Sequence, residues 1–78
     1  MSAERRAILD LLAQRDAGKT ICPSEAARVV GGTEYRDWMD AVRDAARDLV
    51  TEGEIEVTQR GEVVDLDGAR GPIRLRRR

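Results

Sequence analysis

The side chains able to do chemistry in this sequence are few and unevenly placed. There is no histidine and a single cysteine, Cys22. General acid–base catalysis thus loses its commonest side chain, and neither a histidine-bearing zinc site nor a four-cysteine cage can be assembled. Cys22 stands immediately before Pro23, where the start of a helix would lower its thiol pKa. Ser24 lies beside it, and no base is in sight to activate either. Asp65, Asp67 and Gly68 have the spacing of a fragment of a calcium loop, but such a loop runs about twelve residues and closes on a bidentate glutamate. No acid follows Asp67. The glycines lack the strand–loop–helix context of a phosphate loop. These residues predict no catalytic centre, no metal and no cofactor, and therefore a protein that is not an enzyme.

What remains is arginine. Arg36, Arg43 and Arg47 align in one row of a helical wheel, and Asp37, Asp40, Asp44 and Asp48 form a second row beside it. Arginines at this spacing suit phosphates or guanine edges, while the aspartates would be driven against the same phosphates. The other reading is a solvated face laced with ion pairs such as Arg36–Asp40 and Asp44–Arg47, each contributing about 0.2–0.5 kcal/mol. A second group lies near the end of the chain. The last nine residues hold five arginines and no acid, so with a net charge of −1 the first 69 residues carry −6. A basic tail on an acidic body attracts polyanions or merely offsets the body's own acids. If a hairpin forms, Arg74 and Arg76 share a face with Glu54 and Glu56, which is an ordinary cross-strand pairing. Arg60, Arg70, Arg77 and Arg78 are then the free basic candidates.

These groups must be positioned by a small set of elements. Ile8, Leu9, Leu11 and Leu12 recur at helical spacing and predict a first helix over about Ala3–Arg15, stopped by Asp16-Ala17-Gly18. Lys19–Cys22 reads as a short extended segment. Pro23 opens a second helix, with Glu25 reaching back to its first amides and Ala26, Val29 and Val30 facing inward. Gly31-Gly32 ends it. Thr33 is expected to cap a long third helix to about Thr51, whose inward stripe is Tyr35, Trp38, Val42, Ala45, Ala46 and Leu49, with Trp38 at the centre of the core. Leu9, Met39 and Val50 fall at stripe edges and leave room for a homodimer seam. Ile55 and Val57 alternate with acids in one strand, and Ile73 and Leu75 alternate with arginines in its partner, across a loop containing Arg60-Gly61, Asp67-Gly68 and Gly71-Pro72.

The order helix, short strand, helix, helix, strand, loop, strand is that of a winged helix, a helix-turn-helix variant. The fold class expected is α+β, three helices plus a small antiparallel sheet of two or three strands, forming one domain over residues 1–78. Lys-Thr-Ile-Cys-Pro-Ser-Glu at 19–25, Trp38, Val42-Arg43 with Ala45-Ala46-Arg47, Val57-Thr58-Gln59-Arg60-Gly61, and Arg70-Gly71-Pro72-Ile73-Arg74-Leu75 together resemble a small bacterial domain family of unknown function. That resemblance spans nearly the whole chain and implies a winged-helix fold. It brings no activity and no site residues with it.

No stretch approaches the roughly 18–20 apolar residues that span a bilayer, and Met1–Arg6 lacks the order of a secretory signal. The expected compartment is the cytoplasm, in keeping with a lone free thiol. Two functions remain in view. One is a nucleic-acid-binding module, with contacts expected from Arg36, Arg43, Arg47, Arg60, Arg70, Arg77 and Arg78. The other is a protein-interaction or assembly module with no nucleic-acid binding. Tyr35 and Trp38, both placed on the core stripe, argue against base stacking.

Overall fold

A computed structural model describes residues 2–78. Helix α1 (Ala3–Ala13) opens with Ser2, whose side chain accepts the Arg5 amide, and buries Ala7, Ile8 and Leu12. The turn after it is closed by the Lys19 amide on the Asp16 carbonyl and leads into β1 (Thr20–Ile21). Helix α2 (Pro23–Gly31) starts as its sequence directs. Pro23 occupies a first-turn position where no amide is needed, and the Glu25 carboxylate accepts the Cys22 amide at 2.7 Å. A 3-10 segment (Gly32–Trp38) follows, and then α3 (Met39–Thr51), β2 (Ile55–Gln59), β3 (Glu62–Val63) and β4 (Arg74–Arg77).

The four strands form one antiparallel sheet in the order β1-β4-β2-β3. Ile21 pairs with Leu75, and Val57 pairs with Leu75 from the other side, so the short extended segment before α2 is an edge strand of the sheet. The sheet has one strand more than the two or three expected. The addition is β3, which pairs Glu62 with Gln59 through a two-residue turn, Arg60-Gly61. Both turn residues have positive φ, 52° and 84°, the geometry whose twist matches a tight hairpin. Arg60 in the place usually held by Asn or Asp hid that turn in the sequence.

The core gathers Ile8 and Leu12 of α1, Ala26 and Ala27 of α2, Val42, Ala46 and Leu49 of α3, and Ile55, Val57, Ile73 and Leu75 of the sheet, with Leu66 anchoring the loop before β4. Three expectations fail here. Val29 points outward at 63% exposure, and Ala27 takes its place inside. The long helix expected from Thr33 is not continuous, since residues 32–38 are 3-10 and α3 begins at Met39. Trp38 is therefore not the centre of the core. It is 37% exposed and lies over Gly31, where an added Cβ would collide with the indole. The cause is a phase break. Gly32 has φ +60° and Glu34 sits at φ −97°, ψ 24°, so the helical wheel that carries Val42 to Leu49 does not extend back to Tyr35 and Trp38.

Candidate nucleic-acid interface

The seven candidate arginines fall into four separate places. Arg43 and Arg47 lie on α3, one turn apart. Arg47 is consumed: its guanidinium donates to Asp44 at 2.7 Å and to Asp67 at 2.8 Å, and these two acids, Asp44 first, hold it more firmly protonated than an isolated arginine. The Asp44 pair is the i,i+3 contact expected from the sequence. The Asp67 pair ties α3 to the loop after β3, where the Asp65 side chain accepts the Asp67 amide and the Gly68 amide donates to the Asp65 carbonyl. The Asp65–Gly68 segment is thus a polar turn. Arg43 makes no ion pair among the described residues, and Asp40, Asp44 and Asp48 stand on the same helix.

Arg36 belongs to the 3-10 segment and not to the α3 row. The expected Arg36–Asp40 bridge is not among the ion pairs of the described residues. Its guanidinium carbon lies 5.0 Å from the centre of the Tyr35 ring, and that of Arg28 lies 4.4 Å from the same ring. The Tyr35 phenol is held below its ordinary pKa, chiefly by Arg28 and then by the charge of Arg36.

The remaining four arginines divide. Arg60 and Arg70 line one cleft of about 290 Å³ with Gln59, Glu62, Val64 and Pro72. The Gln59 side-chain amide donates to the Arg70 carbonyl at 2.5 Å and to the Pro72 carbonyl at 3.1 Å, which fixes the backbone beneath Arg70. Arg77 and Arg78 sit at the opposite end of the hairpin, where Arg77 pairs with Ile55 and the Arg78 amide donates to the Glu54 carbonyl at 3.2 Å. With ~3.3 Å per strand residue, the two pairs stand roughly 15 Å apart along β2. The basic tail seen in the composition is a strand as far as Arg77, and Arg77 and Arg78 border a cleft with Arg15, Ala17 and Gly18. On the outer face Arg76 pairs with Glu56 at 2.7 Å, as expected, whereas Arg74 turns to the hydroxyl and carbonyl of Thr20.

Three participants escaped the sequence reading. Arg28 meets Tyr35 across a Gly-Gly corner, which no helical period signals. Gln59 braces Arg70 from eleven residues away. Asp67 takes Arg47 out of play from a different element. Cys22 is half-buried and accepts a hydrogen bond from the Ser24 hydroxyl at 3.1 Å.

The stretches that carried the family resemblance build the working joints of this arrangement. Residues 19–25 make β1 and the start of α2, residues 57–61 make β2 and its tight turn, and residues 70–75 lead into β4. A family described as protein of unknown function, DUF3253, matches residues 2–78. The chain belongs to that family. No curated protein matches it. Membership in DUF3253 assigns no ligand, so any function has to come from the geometry. No helix among the described residues is long and apolar enough to cross a membrane.

Proposed function

We propose that this protein is a winged-helix module, not a catalyst, that binds nucleic acid weakly through phosphates. In this reading α2, the 3-10 corner and α3 serve as the helix-turn-helix, and the β2–β3 hairpin with the loop after it serves as the wing. The observation that carries it is the pairing of Arg60 and Arg70 in one cleft at the hairpin tip, neither of them in an ion pair among the described residues. Their charge is available to phosphates, and a braced backbone under Arg70 reduces the entropy lost on contact. The face of α3 is a poor sequence reader, because Arg47 is neutralised and Arg43 stands among aspartates.

The test is a titration on several duplexes across a salt series. Each arginine that neutralises a phosphate adds about 0.9 to the slope of log affinity against log salt. Arg60→Ala and Arg70→Ala should each flatten that slope, and Arg43→Ala should leave it unchanged. Arg77→Gln with Arg78→Gln tests the far end more cleanly than removal of Arg76–Arg78, which would also take away the Glu56 ion pair and the Ile55 pairing. Absence of binding at about 50 mM salt, the low end of the range where phosphate contacts dominate, would overturn the reading.

One observation favours the second reading, a protein-interaction module. A groove of about 450 Å³ between α1 and α2 is lined by Ala3, Ala7, Leu11, Val29 and Val30 among others, and Val29 on its rim is exposed. Loss of nucleic-acid binding in the titration would move attention to that groove.

A further inference from the structure

The corner between α2 and α3 holds a second basic feature, independent of the hairpin cleft. Arg28 comes from α2 and Arg36 from the 3-10 segment, and both guanidiniums lie over one ring, that of Tyr35. The two distances to the ring centre, 4.4 and 5.0 Å, put the two charges within roughly 10 Å of each other, about one Debye length at 0.1 M salt. Two cations so close repel, and the usual remedy is a carboxylate between them. Neither arginine has one, although Glu34, Asp37 and Asp40 are near in sequence: none of the ion pairs among the described residues involves Arg28 or Arg36. The ring face attracts each guanidinium through its quadrupole and thereby holds two long side chains beside one ring. A guanidinium carries a planar fork of five N–H donors, more than one tyrosine can engage, and that fork suits two-point contact with an oxyanion.

We propose that Arg28 and Arg36, arrested on the Tyr35 ring, form a binding site for a phosphate-type oxyanion. The depressed phenol pKa of Tyr35, whose causes include both arginines and no carboxylate, agrees with a locally positive field. The site is exposed on both arginines and half-closed on the tyrosine side. The anion stands in for the missing carboxylate and relieves the repulsion between the two cations. Either a free phosphate or a phosphodiester of a nucleic-acid strand supplies the same oxygens. The proposal does not depend on the hairpin arginines, so Arg60→Ala should not affect it.

Tyr35 is the only tyrosine in the chain, and its ionisation can be followed alone in the ultraviolet. The experiment titrates the full-length protein with inorganic phosphate at constant ionic strength, following the Tyr35 ring resonances at neutral pH and the phenol pKa in parallel. A bound anion should shift the ring signals saturably and raise the phenol pKa toward its ordinary value. Arg28→Gln and Arg36→Gln should each weaken the phosphate response by tenfold or more while raising the phenol pKa in the absence of phosphate. Circular dichroism of each variant confirms that the corner still folds, and Arg36→Lys, which keeps the charge but not the fork, should restore the response only in part. If free phosphate is silent but a short duplex produces the same arginine-dependent shift, the site takes a phosphodiester. A Tyr35 response no larger than that to chloride with both probes, or one that both glutamine variants retain, would overturn the proposal.

Discussion

The two ends of α3 are built on opposite plans. Its C-terminal end is tied down. Gly53, at φ 78°, lets the Glu54 amide reach the Leu49 carbonyl and its own amide reach Val50, which is the paired closure that a left-handed glycine permits. Arg5 of α1 grips Glu52 with two hydrogen bonds, 2.6 and 2.9 Å, and Ile55, fully buried, follows. At the N-terminal end no side chain caps the helix. The residues before it are 3-10, Trp38 rests on a glycine at the surface, and two arginines share a tyrosine ring with no acid between them. The first end spends its side chains on stability. The second leaves aromatic and cationic groups in reach of solvent, and that is where ligand chemistry has room to act.

The comparison predicts a steep gradient in the cost of substitution from one end to the other. Leu49→Ala, in the closed half, removes a side chain with no exposure and should cost about 2–5 kcal/mol, enough to unfold much of a domain this small. Denaturant unfolding measures it. Gly31→Ala comes next, at about 1–3 kcal/mol, the usual range for forcing an extra methyl into a filled space. Here the new methyl meets the indole of Trp38, and the indole has solvent to retreat into. Trp38→Ala should cost no more than about 2 kcal/mol, below what full burial of a large side chain supplies. The double variant should lose less than the two single variants added together, because removing the indole removes the clash. A Trp38→Ala cost equal to that of Leu49→Ala would erase the contrast between the two ends.

The sequence was most readable where one period ran unbroken. Val42, Ala45, Ala46 and Leu49 keep the helical phase, and Ile55 and Val57 keep the strand phase, and all six are buried. Glu56 and Arg76 were legible as a cross-strand pair because alternation puts both on the outer face. Reading failed at junctions. The wheel drawn from Thr33 ran through Gly32 and Glu34 as though their backbone were helical, and so carried Tyr35 and Trp38 inward. The β2–β3 hairpin went unseen because its turn has arginine where a short polar residue is the usual signal. Among the candidate arginines, charge counting anticipated the pair of Arg47 with Asp44 but also a pair of Arg36 with Asp40, which is not among the ion pairs of the described residues. It counted Arg77 and Arg78 as free basic candidates because composition cannot show that Arg77 completes a ladder with Ile55. Nor could it link Arg28 with Tyr35, or Arg47 with Asp67, since those contacts exist only after the elements pack.

The smallest effect expected lies at the closed end, and its pH dependence has a definite sign. Glu52 has its pKa lowered from 4.5, first by its hydrogen bonds to Arg5, against the opposing effect of desolvation. Arg5 stays protonated throughout, its own pKa being raised by the same contact. A carboxylate with a folded pKa below its unfolded one stabilises the fold above the unfolded value, and that contribution is lost as pH falls through the folded value. Glu52→Gln should therefore lower the melting temperature slightly and by a constant amount at pH 6–8 (a range about two units or more above the free carboxylate pKa). The gap to the unsubstituted protein should close as pH drops below 4.5. It should also narrow in high salt, because the pair is partly exposed and screened. A parallel series with Arg36→Gln should show no such acid-dependent gap, since that arginine has no carboxylate to lose. If Arg36→Gln instead reproduces the Glu52→Gln profile, a hidden acid partner exists at the open end, and the contrast between the two ends of α3 is smaller than the geometry indicates.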